Sequence, residues 1–365
     1  MKIKEITDYL ESIAPLDLQE SYDNAGLLIG SREMECTGII TSLDVTESVV
    51  AEAVQKKCNL IVAHHPIIFR GLKKLNGRNY VERTIIAAIK NDIAIYAIHT
   101  NLDNVIEGVN RTIAEKIGLQ NCIALLPKEG TLQKLVTFSP EKNADDVRNA
   151  LFKAGAGAVG NYSECSFNVE GVGSFTANEN STPFVGEIGK RHHEHEVRIE
   201  VIFASSLQSG LIAALKKAHP YEEVAYYIHA LENVQRGVGS GLVGELKESI
   251  SESQLLTTLK SSFGIPVIKH TPFLEKRVTK IAVCGGAGIF LLPNAVASGA
   301  QAYITADIKY HEYFDADGRI LLADIGHYES EQFTIELLTE FLQQKFPNFA
   351  VLKTEMNTNP VKYFK

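Results

Sequence analysis

Two adjacent histidines and a proline, His64-His65-Pro66, directly follow the apolar run Leu60-Ile61-Val62-Ala63. A third histidine and an aspartate follow another apolar run, in His99-Thr100-Asn101-Leu102-Asp103. Far along the chain, His327 and Glu331 stand at i, i+4 spacing, just after Ile320-Leu321-Leu322-Ala323. Imidazoles and carboxylates gathered at strand ends are what a transition-metal hydrolytic site needs. The pattern predicts a two-metal centre. A carboxylate such as Asp103 has two oxygens and can bridge two cations. Oxygen and nitrogen ligands without thiolate suit zinc first, and manganese, iron, cobalt or magnesium as well, rather than copper(I) or iron–sulfur.

Each segment also has a plainer reading when taken alone. The histidine pair suits any polar strand end. Asp103 suits a turn or a helix cap, and Glu331 suits a capping or dipole role near a helix start. Asp23-Asn24-Ala25-Gly26-Leu27 reads as a turn with contacts to the site, and Asp44 as either a cap or a cleft residue. Cys284-Gly285-Gly286-Ala287-Gly288 is a tight turn or an anion-binding nest made of backbone N–H groups. Thr305-Ala306-Asp307 and Lys309-Tyr310-His311-Glu312 lie on the same rim, as site residues or as solvated loop. Arg191-His192-His193-Glu194-His195 reads as a flexible surface loop, with an accessory metal site as the alternative, and His219-Pro220-Tyr221-Glu222-Glu223 as a helix-to-strand turn.

Positioning such residues takes alternating strands and helices. Residues 3–13 have helical periodicity, 38–44 read as a strand, 47–57 as a helix, 59–63 as a strand, 80–91 as a helix and 93–98 as a strand. This alternation implies an α/β layer with a largely parallel sheet, in which ligands collect beyond the carboxyl ends of strands. After about Pro127 the order changes. Strand 134–138, helix 144–154, strands 164–169, 172–176 and 196–203, helix 210–218 and strand 223–231 make a ferredoxin-like unit. It leaves through the glycine-rich Gly237-Val238-Gly239-Ser240-Gly241. α/β alternation then resumes, with helix 253–263, strand 280–284, helix 291–299, strands 302–306 and 320–323, helix 330–345 and strand 350–353. The expected organisation is a discontinuous α/β core, residues 1–126 and 236–365, interrupted by an α+β insert at 127–235.

The chain has 365 residues, of which 45% are hydrophobic and 22% charged, ordinary for a globular protein. Its formal net charge is −8, so general nucleic-acid binding is disfavoured, though a local basic patch stays open. Its 5 cysteines (Cys36, Cys58, Cys122, Cys165, Cys284) form no CxxC pair. That usage suits a reducing cytoplasm rather than a disulfide framework. The amino-terminal stretch has no apolar signal core, and no apolar run is long enough for a bilayer span.

The ordered set Asp23–Leu27, Ala63–Pro66, His99–Asp103, Cys284–Gly288, Thr305–His311 and Gly326–Glu331 resembles the NIF-three-like family, the GTP cyclohydrolase 1 type 2 homologues. The resemblance covers both flanking segments. It implies a dinuclear metal centre with His64, His65, Asp103, His327 and Glu331 as ligands. It also implies a toroidal homohexamer and an insert like the PII and CutA proteins, of a kind that tends to trimerise. The activity attributed to some members is conversion of GTP to dihydroneopterin triphosphate and formate. On that reading a metal-activated water attacks C8 of guanine. His99 or His311 shuttles protons, and Gly285, Gly286 and Gly288 hold phosphate. A metal-dependent nucleotide phosphoesterase and a non-catalytic, metal-responsive hexameric regulator or scaffold are the rival expectations.

Overall fold

The computed structural model describes residues 1–364, and they form two compact units. One comprises Met1–Pro127 and Gly237–Lys365, the other Lys128–Arg236. The strands, in chain order, are β1 (Gly26–Ile29), β2 (Ile39–Ser42), β3 (Leu60–Ala63), β4 (Ala94–Ala97), β5 (Leu119–Pro127), β6 (Leu132–Pro140), β7 (Phe167–Thr176), β8 (Arg191–Ala204) and β9 (Tyr226–Ala230). They continue with β10 (Gly239–Ser251), β11 (Lys269–His270), β12 (Arg277–Val283), β13 (Ala302–Thr305), β14 (Leu321–Asp324) and β15 (Val351–Lys353).

The discontinuous unit holds two sheets. One has the order β1-β4-β3-β2-β15 and the other β11-β14-β13-β12-β10-β5. In the first, β15, β2, β3 and β4 are parallel and β1 runs against β4. In the second, β12, β13 and β14 are parallel and β11 runs against β14. The two sheets thus repeat one plan: a short antiparallel edge strand, then three parallel strands in reverse chain order.

The sequence of the parallel strands explains their double burial. Leu60 and Val62 of β3 face one apolar cluster while Ile61 and Ala63 face another. In β12, Ile281 and Val283 face the first cluster, and Ala282 faces a third. Strands buried on both faces read as continuous apolar runs, because both sets of alternate side chains need cover. The shared cluster joins Leu60 and Tyr96 of one sheet to Ile304 and Leu321 of the other, with helices Val109–Ile117, Glu252–Phe263 and Thr334–Lys345 contributing Ile113, Leu259 and Leu338. One core therefore fixes the carboxyl ends of both parallel sets against each other.

The second unit has a four-stranded sheet, order β7-β8-β6-β9, with every neighbouring pair antiparallel. Helix Ala144–Lys153 follows β6 and helix Gln208–Ala218 follows β8. This is the ferredoxin-like β-α-β-β-α-β order. Two expectations change here. Residues 164–169 and 172–176 lie mostly in one strand, β7, which carries Gly171 through the middle. Arg191–His195 is not a loop but the start of the 14-residue β8, paired residue by residue with β7. Its alternating polar side chains are those of a strand projecting past the core. Strands β1, β5, β10 and β11 were not anticipated from the sequence, and among the described residues no helix is long and apolar enough to cross a membrane.

Candidate metal centre

His64 and His65 come directly after β3, Asp44 two residues after β2, and His99 two residues after β4. From the second sheet, Asp307 follows β13, and His327 follows β14. His327 and Glu331 begin and end the one-turn helix His327–Glu331, so they share a face. Both parallel sheets thus deliver polar side chains to one cleft of about 750 Å³, whose wall includes His65, His99, Asp103, His327 and Glu331.

Glu331 is buried at the centre, and its two oxygens address different neighbours. Oε2 lies 3.1 Å from His65 Nε2 and 3.1 Å from His327 Nε2, and these nitrogens are 3.3 Å apart. Oε1 lies 3.9 Å from His64 Nε2, which is 3.6 Å from Asp103 Oδ1. Two groups that could hold a metal ion, His65-His327-Glu331 and His64-Asp103-Glu331, therefore share one carboxylate. A third group unites His64, His65 and His99.

The far nitrogen of each imidazole is fixed by an acceptor. His64 Nδ1 donates to the Ile98 carbonyl at 2.9 Å, His65 Nδ1 to Asp44 at 2.8 Å, His327 Nδ1 to Asp307 at 2.8 Å, and His99 Nδ1 to Asp23 at 2.7 Å. A carbonyl can only accept, so neutral His64 carries its proton on Nδ1 and turns a lone pair inward at Nε2. This arrangement, a histidine with its outer nitrogen held by a carboxylate or carbonyl, is the usual support of a metal ligand.

The inward atoms fit a cation. His64 Nε2 and Asp103 Oδ1 are buried without a hydrogen-bond partner. Acceptors facing acceptors in a dry site are costly unless a positive charge lies between them. The 3.1–3.3 Å separations around His65, His327 and Glu331 match ligands each about 2.0–2.1 Å from one tetrahedral zinc ion, whose edges are roughly 3.3 Å. Protonation states show the same deficit. Burial and the charge on Glu331 push Asp103 well above the carboxylate range. Burial opposes ionisation of Glu331 too, but His327 and His65, each 3.1 Å from Oε2, hold it well below. Burial lowers His64 to about 4. Against the same burial, Asp44 and Glu331 raise His65 to about 9, and Asp307 and Glu331 raise His327 to about 11. Without a cation, the imidazoles must carry the positive charge that these carboxylates demand.

His99 stands beside this centre. Burial works against the Asp23 carboxylate, but His99, both donors of Thr100 and the Asn24 N–H hold it at about 2. Asp23 thus stays ionised and keeps the His99 proton on Nδ1, leaving Nε2 to accept one.

The other predicted residues fare differently. His311 is exposed on the 3-10 segment Tyr310–Ala316, its ring stacked near Phe314, and is absent from the cleft wall. The structure does not bring it into the group around Glu331. The three glycine N–H groups are already engaged within the protein and are not free donors for phosphate. Gly285 N–H donates to Asn110 Oδ1 at 2.9 Å, Gly286 N–H to Ser330 Oγ at 3.0 Å, and Gly288 N–H to Thr305 Oγ1 at 3.0 Å. The glycines serve close approach instead. Gly286 has φ +59°, and a Cβ there would fall inside contact distance of Glu331 Oε1.

Sequence reasoning missed several supports. Buried Asn110 donates to the Asp103 carbonyl at 3.0 Å while receiving Gly285, tying the two sheets' loops together. Thr358 donates to Asp44 at 2.6 Å, and Asn359 to Glu329 at 3.0 Å, so the carboxyl-terminal segment lies along the cleft. An asparagine on an amphipathic helix and a threonine in an irregular tail give no signal of such roles.

The Duf34/NIF3 (NGG1p interacting factor 3) family model matches residues 1–360. A Halalkalibacterium halodurans protein named GTP cyclohydrolase 1 type 2 homolog is 37% identical, with 98% of each chain covered. A Bacillus subtilis protein of the same name is 36% identical over 99% of this chain and 98% of its own. Among solved structures, a Bacillus cereus protein related to NIF3 superposes with TM-score 0.87 at 38% identity, covering 100% of this chain and 99% of that one. A Staphylococcus aureus protein gives 0.78 at 30% identity over the same shares.

Proposed function

The chain belongs to the Duf34/NIF3 family, and on that premise we propose that it is a dinuclear-metal hydrolase acting on a purine nucleotide. Its relatives are named GTP cyclohydrolase 1 type 2 homolog, and the specific reaction we propose is the one the family resemblance implies, GTP plus water to dihydroneopterin triphosphate and formate. The observation that carries the reading is the pair of potential metal groups sharing Glu331 at the wall of a roomy cleft. His65, His327 and Glu331 Oε2 would hold one divalent cation. His64, Asp103 and Glu331 Oε1 would hold the other, with zinc first among the candidates. Such ions supply Lewis acidity and make water acidic near neutral pH. The chain's own contribution is placement. Asp44 and Asp307 orient His65 and His327, and Glu331 couples the two groups. His99, backed by Asp23, would accept at Nε2 the proton given up by the attacking water and return it to the opened imidazole of the substrate. We further read the middle unit as a PII/CutA-like module, the assembly as a homohexamer and the compartment as the cytoplasm.

One observation favours a second reading. Lys269 is the only lysine of the cleft wall, where no arginine occurs among the described residues, and it is paired at 2.6 Å with buried Asp324. Glu20, Asp44, Asp307 and Glu329 line the same wall. That balance receives a triphosphate poorly, and burdens a nucleotide phosphoesterase equally. A metal-responsive regulator or scaffold requires no triphosphate pocket. Metal-loaded protein incubated with GTP decides the matter. Formate release abolished by Asp103→Ala supports the cyclohydrolase, and phosphate release without formate the phosphoesterase. No turnover of any nucleotide across several metals leaves the regulator.

A further inference from the structure

The ferredoxin-like unit contains a cavity of about 520 Å³ that the metal centre does not use. Five aromatic rings line it: Phe138, Phe175, Phe184, Tyr221 and Tyr227. The Tyr221 ring stands between two others, its centroid 6.2 Å from Phe175 and 6.2 Å from Phe184, at interplanar angles of 61° and 52°. Phe138 and Tyr227 form a second edge-on pair at 5.9 Å. Rings set at such angles present several faces to one volume rather than stacking on each other.

The polar lining has one sign. Tyr221 donates its hydroxyl to Glu196 Oε1 at 2.9 Å, which fixes both the ring and the carboxylate. Gly173 faces Glu196 across the strands, and any side chain there would collide with Oε2. Glu222 and Glu223 also line the cavity, and Glu222 pins the covering loop by accepting the Thr182 N–H at 2.8 Å. Among the described residues no lysine, arginine or histidine lines it. Lys142 lies outside the lining, with its ammonium 5.1 Å from the Phe184 centroid.

Ring faces are negative, and a cation within about 6 Å of several centroids is attracted by each. A carboxylate beside them adds full charge. We propose that this cavity binds a small organic cation of the alkylammonium class, with the rings enclosing the alkylated nitrogen and Glu196 neutralising it. A neutral apolar guest would gain nothing from Glu196. An anion would face three carboxylates.

The test compares choline with 3,3-dimethylbutan-1-ol, its uncharged carbon isostere, by calorimetric titration of the full chain at matched ionic strength. Equal shape isolates the charge. Choline binds saturably, and the isostere about tenfold or more weakly. Glu196→Gln and Phe175→Leu each weaken choline by several-fold, and leave the metal content of the other unit unchanged. Equal binding of the two probes, or no saturable choline binding to the unmodified protein, overturns the proposal. The comparison on unmodified protein stands even if a variant fails to fold.

Discussion

The two histidine-rich regions of this chain have opposite fates. In the discontinuous unit, His64 and His65, His99, and His327 come from three separate strand ends and meet around one cleft. In the ferredoxin-like unit, His192, His193 and His195 are close in sequence but lie on one continuous strand, β8. A strand sends successive side chains to opposite faces, so His192 packs on Phe175 and Glu194 while His193 and His195 are exposed. No group able to hold a metal forms there among the described residues. Local density of imidazoles is therefore a poor guide to a metal centre. Convergence of parallel strand ends, each ring backed by a carboxylate or a carbonyl, is what brings potential ligands together.

The sharpest way to break this contrast is at Glu331. Glu331→Gln removes the group common to both clusters, so elemental analysis should show neither cation retained, with affinity down more than about a hundredfold. Loss of one ion only would mean that the clusters do not share their carboxylate. A smaller effect is expected behind the rings. Asp44→Asn or Asp307→Asn should weaken one ion about 10–100-fold and spare the other, read as two separable steps in a chelator titration.

Proton uptake sharpens the comparison further. In the cation-free chain His65 is raised to about 9 and His327 to about 11. Both hold protons at pH 7, and a cation must displace them. Loading at pH 7 should release protons, and apparent affinity should climb as pH rises from 7 toward 9. Calorimetry in buffers of different ionisation enthalpy measures this, and a pH-independent affinity contradicts it. The smallest effect belongs to the insert. His193→Ala with His195→Ala should leave metal content unchanged and stability within about 0.5 kcal/mol, by denaturant titration.

What could be read from the sequence follows the same division. Continuous apolar runs announced β2, β3, β4, β13 and β14, because strands buried on both faces leave that trace, and the residues after them were then natural candidates. The antiparallel strands β1, β5 and β10 left none. Strand β10 looked like a glycine-rich exit, because Gly239, Gly241 and Gly244 make close approaches to β5 and its neighbours that only a folded sheet reveals. The glycine turn at Gly285–Gly288 looked like a nest because its acceptors, Asn110, Thr305 and Ser330, are remote in sequence. His311 shares a rim with Asp307 in the sequence, but the 3-10 turn rotates it to solvent.

The run from Asn359 to Tyr363 borders the cleft, and Thr358 grips Asp44. A polyhistidine purification handle fused behind it would dangle extra imidazoles over the very ions being counted. It would also load the preparation with nickel or cobalt from the resin. Met1 borders no part of that cleft, and its ammonium is paired with the exposed Glu35, so a handle ahead of Met1 keeps the added imidazoles off the cleft wall.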